Sequence, residues 1–212
     1  MLILEFTQEE IKVFNTAGKV RGKSSLGLAA RKISGLSDED ISAAIVDLLR
    51  GLGCKGKQPV NICVSRHLFT ARSLRLPSLD DSELRDMAGL QAGKQLPYPA
   101  NELVWDFNIV EKRPDGYSDI LLLLGHRNVI DRYLRIIMAS KLEADRIVVS
   151  SEALFAWQAL VDPFKSEDQI SRQVTAVVDV DTSHVNIIIN RGGAAEFSRS
   201  FPVKSEAGET GE

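Results

Sequence analysis

Apolar residues recur along this chain with two different periods, and the switches between them mark out its elements. Leu2, Ile3, Leu4 and Phe6, a polar turn from Thr7 to Glu10, and an apolar run from Ile11 read as a tight hairpin over residues 2–6 and 11–17. Residues 19–35, basic and rich in small side chains, read as a further, weaker strand. Ser37 and Asp40 make a capping pair. Behind it, Ile41, Ala44, Ile45, Leu48, Leu49 and Leu52 repeat at helical spacing, with Gly51 and Gly53 ending the helix. Residues 60–64 follow as a buried strand.

From residue 68 the pattern changes. Residues 68–76 read as a strand stopped by Pro77. Asp80, Asp81, Ser82 and Glu83 cap a helix carrying Leu84, Met87, Ala88 and Leu90, which ends before Pro97 and Pro99. Residues 103–110 and 118–124 are two strands joined through Pro114-Asp115-Gly116, whose residue types suit a hairpin turn. Asn128 opens a helix with Ile130, Leu134, Ile137 and Met138 on one face. The order β-α-β-β-α over these residues predicts a compact α+β unit.

A strand over 146–150 and a short helix over 151–161 come next, then a polar stretch, 162–173, that reads as a linker. The last segment is an apolar, buried strand ending at Asp179, a polar turn (Asp181, Thr182, Ser183, His184), a β-branched strand over 185–189, a turn at Arg191-Gly192-Gly193 and a third strand. This strand–turn–strand pattern repeats the one that opens the chain, which predicts a duplicated fold. Three strands are few for an independent domain, so this second lobe is expected to be cut short or to lean on the first.

Composition narrows the function classes. With 212 residues, 44% apolar and 26% charged, the chain suits one good core or a core plus a satellite. A formal charge of −3 argues against broad nucleic-acid binding. Cys54 and Cys63 form no CxxC pair, which fits a reducing compartment. No apolar run reaches the roughly 18 residues of a membrane helix, and the start lacks the pattern of a secretory signal; a soluble, intracellular protein is expected.

Several motifs carry a resemblance. They are Leu74-Arg75-Leu76-Pro77 followed by Asp81-Ser82-Glu83-Leu84, Gln95-Leu96-Pro97-Tyr98-Pro99, Val104-Trp105-Asp106-Phe107, Val178-Asp179-Val180-Asp181, and Arg199. Together with the element order, they resemble the bacterial actin-like proteins that carry an inserted 1C subdomain, and among these the PilM family of type IV pilus assembly proteins. The resemblance implies an α/β and α+β architecture: an actin-like (ribonuclease H-like) lobe, an inserted β-α-β-β-α subdomain, and the start of a second lobe. The implied boundaries are 1–67 plus 143–173 for the lobe (1A), 68–142 for the insertion, and 174–212 for the partial second lobe (2A-like).

The same resemblance places two phosphate loops, the first reading Asp-Ile-Gly with a lysine beyond it and the second Asp-x-Gly. Here they read Glu5-Phe6-Thr7 with Lys12, and Asp179-Val180-Asp181. Thr7 and Asp181 stand where glycine lets backbone approach phosphate, and Asp181 adds a charge that phosphate oxygens would repel. Thr7, Lys12, Asp179, Asp181 and Thr182 are thus the candidate nucleotide residues. Their chemistry argues against ATP and Mg²⁺ as cofactors except in a fuller chain. Asp179 is alternatively a turn-capping aspartate, and Lys12 a solvated surface lysine. Thr182, Ser183 and His184 are consecutive in a turn and diverge, which gives no nucleophile triad. His67, His126 and His184 lack metal-ligand spacing, and neither catalytic nor metal-binding residues are assigned.

The resemblance also implies a partner, the N-terminal cytoplasmic tail of a PilN-type membrane protein, held in a groove between the main lobe and the insertion. The lining residues are unassigned. Other pilus platform proteins, and the membrane only indirectly, complete the expected contacts, at the cytoplasmic face of the inner membrane. Two alternatives remain at this point: an actin-like ATPase using Lys12, Asp179 and Thr182, and a type II secretion component resembling GspL.

Overall fold

The computed structural model describes residues 1–20, 23–54, 57–95, 97–161, 174–191 and 194–203. The expected linker at 162–173 and the turn glycines Gly192 and Gly193 lie outside these residues. The chain forms two compact units, one from Met1–Ser65 with Arg127–Ala153, the other from Arg66–His126 with Leu154–Glu212.

The first unit is built on a five-stranded sheet. Strands β1 (Leu2–Phe6), β2 (Glu10–Val20) and β3 (Lys23–Lys32) form an antiparallel meander, and β4 (Pro59–Val64) and β8 (Glu143–Val149) join it in parallel, giving the order β3-β2-β1-β4-β8. Parallel strands need a crossover, which α1 (Asp38–Gly51) supplies between β3 and β4. Its start is as expected: the Ser37 side chain accepts from the Asp40 amide, and three acids fill the first turn, where the helix dipole favours them. It ends at Leu52, with Gly53 at φ +69°, a left-handed conformation that suits glycine.

Helix α3 (Arg127–Ala139) packs against α1 and β8 in this unit. Sequence spacing had placed residues 128–142 with the insertion. Ser42 Oγ donates to the Ile136 carbonyl (3.2 Å), and Tyr133 meets Phe6 with ring centroids 4.9 Å apart. The buried stripe of α3 is Tyr133, Ile136 and Ile137, whereas Met138 is 73% exposed. Met138 lies a further 100° around the helix from Ile137, which turns it off the stripe that Tyr133 and Ile136 define.

In the second unit, β5 (Phe69–Leu76), α2 (Asp81–Gln95), β6 (Leu103–Lys112) and β7 (Ser118–His126) follow the expected order, with strands arranged β5-β7-β6 and all pairings antiparallel. A single 3-10 turn, Arg66–Leu68, precedes β5, so the strand expected from residue 68 begins at Phe69. One face of the sheet (Leu76, Ile120, Leu122, Leu124) buries against Leu84, Ala88 and Ala92 of α2, spaced four apart on one helix face. Leu90, expected on that face, is 71% exposed; it sits about 200° round from Ala88. The packing is close enough to require glycine twice: a Cβ on Gly89 would stand 2.9 Å from Trp105 Cζ2, and one on Gly125 2.6 Å from Phe69 Cε1.

After α4 (Ser150–Val161), strands β9 (Val174–Val180), β10 (His184–Arg191) and β11 (Ala194–Pro202) form a second meander in the order β11-β10-β9, and β11 lies against the β5-β7-β6 sheet. Strand β9 was expected to be buried. Instead one of its faces is open: Val174, Val178 and Val180 are 51–72% exposed. Alternation along a strand can bury one face only where another layer covers it, and among the described residues none covers this one.

Candidate functional site

The two meanders are the same device used twice. In the first, the Thr7 amide donates to the Glu10 carbonyl (2.9 Å) and Phe6 pairs with Ile11; in the second, the Asp181 amide donates to the His184 carbonyl (2.9 Å) and Val180 pairs with Val185. Thr7 and Asp181 therefore hold equivalent positions, as the repeated pattern predicted.

Each turn spends its donors on itself. Thr7 Oγ1 accepts from the amides of Glu10 (3.0 Å) and Glu9 (3.3 Å) and donates to the Glu10 carbonyl (3.1 Å). A phosphate seated on this turn would need those amides. Lys12 is not a solvated lysine: it is half-buried, with Nζ 3.5 Å from Glu5 and 3.2 Å from Glu10. Burial alone would lower its pKa, but the two glutamates outweigh it and hold the ammonium above its ordinary value. A phosphate approaching Lys12 would meet two carboxylates first.

In the second turn, Asp181 Oδ1 accepts from the Thr182 amide (2.7 Å), with Thr182 Oγ1 at 3.4 Å. The capping role anticipated for Asp179 belongs to Asp181. Asp179 instead accepts from Asn186 Nδ2 across the β9–β10 pair (3.0 Å). Thr182, Ser183 and His184 were expected to diverge; instead Ser183 Oγ lies 3.0 Å from His184 Nδ1, because the turn folds the hydroxyl back onto the ring that follows it.

The structure adds two residues that sequence spacing had set aside. His67 and His184, 117 positions apart, stack face to face with centroids 4.0 Å apart and planes 5° from parallel. His126 stays away from them, edge-on to Tyr98 and 3.4 Å from Glu102. Among the described residues no group of three or more His, Cys, Asp or Glu could hold a metal ion. Next to His67, the Arg66 guanidinium is buried (3% exposed); it donates to Ser198 Oγ (2.6 Å), to the Ser198 carbonyl (2.7 Å) and to the Phe69 carbonyl (2.5 Å). Burial pushes its pKa down to about 10. It ties the start of the insertion to β11. A run of Arg-His in sequence carries no sign of the stack or of the Ser198 contacts, because His184 and Ser198 lie more than 100 residues away.

The first unit also holds an open cavity of about 530 Å³ floored by Val46, Leu49 and Leu142 and rimmed by Arg50, Lys57 and Lys141; it shares no residue with either turn. No helix among the described residues is long and apolar enough to cross a membrane.

Comparison with known proteins agrees with this architecture. The family described as type IV pilus assembly protein PilM matches residues 30–203. A type II secretion system protein L from Xanthomonas campestris pv. campestris is 33% identical over 60 residues, 28% of this chain and 16% of that protein. Among solved structures, a PilM–PilN type IV pilus biogenesis complex superposes with a TM-score of 0.77 at 18% identity, over 94% of this chain and 60% of that one. The cytoplasmic domain of EpsL, an inner membrane component of the Vibrio cholerae type II secretion system, gives 0.58 at 9% identity, covering 95% of this chain and 70% of the domain. A Bacteroides thetaiotaomicron protein of unknown function with an actin-like ATPase fold gives 0.53 at 13%, covering 96% and 70%. The fold is thus actin-like. The chain spans about three-fifths of the PilM–PilN neighbour and about one-sixth of the secretion relative.

Proposed function

The chain belongs to the PilM family of type IV pilus assembly proteins, and we propose that it is a cytoplasmic binding module of a pilus or related secretion platform. Its partner in this reading is the N-terminal cytoplasmic tail of a PilN-type membrane protein, which holds it at the inner face of the inner membrane. Family membership supports the platform role, and the likeness to a PilM–PilN complex supports the choice of partner. The likeness to the cytoplasmic domain of an inner membrane secretion component supports the location. An extended tail gains main-chain hydrogen bonds to its host and seats alternate side chains in apolar pockets, which gives specificity without chemistry.

The observation that separates this reading from an ATPase is the self-satisfied turn. Thr7 Oγ1 occupies the amides of Glu9 and Glu10, and Lys12 is neutralised by Glu5 and Glu10. We therefore infer that the chain is not an enzyme and that ATP and Mg²⁺ are not its cofactors. Isothermal titration with a synthetic PilN-type N-terminal peptide tests the partner: saturable heat is expected, and none at high micromolar peptide contradicts it. Millimolar ATP–Mg²⁺ should leave the melting temperature unchanged, because a ligand that binds the native state raises it by mass action.

A type II secretion role is a second reading, favoured by the 60-residue match to secretion protein L. Titrating the chain with a tail peptide from each system separates the two.

A further inference from the structure

We propose that the stacked pair His67–His184 is a proton-operated latch, whose protonation frees the 3-10 turn Arg66–Leu68 from the β9–β10 turn. Two imidazoles stacked at 4.0 Å and 5° are held by dispersion while at least one ring is neutral. Two imidazolium ions at that separation repel, and the repulsion is strongest where solvent is partly excluded.

The charges around the pair favour release over retention. On the 3-10 turn itself, the Arg66 guanidinium is directed to Ser198 and Phe69. From the β9–β10 turn, Asp181 bears on His67 with the opposite sign. Along β9, β10 and β11 the remaining charged groups are engaged elsewhere: Asp179 with Asn186, Arg191 with Glu196, and Arg199 over the Phe201 ring. On His67 the neighbouring ring opposes protonation and Asp181 favours it, and the ring carries the larger weight.

Burial, followed by the neighbouring His184, lowers the His67 pKa from 6.5, with Asp181 opposing. The native state then binds fewer protons than the unfolded chain in the window just below pH 6.5. The stability the pair contributes is complete above that pH and is lost as pH falls through the lowered value. The latch is closed at neutral pH and opens on mild acidification, loosening the sheet β9–β11 from the turn that starts the insertion.

The test compares the full chain with its His184→Gln and His67→Gln variants by thermal unfolding from pH 8 to pH 5.5, together with imidazole NMR titration. Wild type should lose about 3 °C more than His184→Gln across this range. In His184→Gln the His67 titration midpoint should move up, a response that a purely structural ring would not give. Parallel pH profiles for wild type and His184→Gln, or an unmoved His67 midpoint, would overturn the proposal. Should His67→Gln fail to fold, the His184→Gln profile and the NMR midpoint still decide it.

Discussion

Replacing Arg66 by methionine removes a buried side chain of the second unit that makes three hydrogen bonds, while keeping most of its volume. The magnitude follows from opposing terms. Burial lowers the guanidinium pKa from 12.5 to about 10, which corresponds to roughly 3 kcal/mol of lost solvation for the cation. Against this stand three hydrogen bonds from a charged donor, each worth about 1.5–3 kcal/mol. Methionine abolishes both terms but leaves the Ser198 hydroxyl and two carbonyls short of a donor, at about 1–3 kcal/mol for each group that finds no substitute. A net loss of about 3 kcal/mol is expected, and with a slope of about 3 kcal/mol per M the urea midpoint should fall by roughly 1 M. Hydrogen exchange should place the loss in β11, where Arg66 binds. A variant as stable as wild type, or more so, would refute the reasoning, since it would mean that desolvation outweighs the hydrogen bonds, as happens for some buried charges.

Further outcomes follow from the packing and the turns. Thr7→Val should destabilise the first turn by about 1–2 kcal/mol in urea unfolding, because the Glu9 and Glu10 amides lose their acceptor, and Thr7→Ser should restore most of it. Gly125→Ala should cost about 1–3 kcal/mol, since its Cβ would overlap the Phe69 ring at 2.6 Å; pairing it with Phe69→Leu should recover part of the loss. With a thiol-specific reagent at pH 8, the half-exposed Cys54 should react in the native protein while Cys63 should not. Burial, then Glu5 and Glu152, push the Cys63 thiol up to about 12. Two rapidly titrating native thiols would contradict that burial.

The parts of this fold legible in sequence were those where local chemistry and tertiary context agree. Ser37 capping α1, the glycine stop at Gly53, and the repeated hairpin pattern around Thr7 and Asp181 all depend on residues a few positions apart. Helix faces were less secure. On α2 and α3, apolar residues occur on more than one side, and only the covering sheet or helix decides which stripe is buried; hence Leu90 and Met138 face out. The valines of β9 read as a buried strand because β-branched content reports strand formation, not the layer that covers it. At the candidate site, the loss of glycine at Thr7 and Asp181 was visible, but the neutralisation of Lys12 was not, since it depends on the cross-strand register that sets Glu5 opposite it. The His67–His184 stack and the Arg66 clamp had no sequence signal, because both are contacts between segments more than 100 residues apart.

The central claim is that this chain binds a peptide and does so without nucleotide. Fluorescence anisotropy of a labelled PilN-type N-terminal peptide, titrated with the chain in the absence and presence of millimolar ATP–Mg²⁺, tests both halves in one measurement. The account predicts saturable binding with the same Kd in the two series. Binding that appears only with ATP–Mg²⁺, or no binding in either, would contradict it.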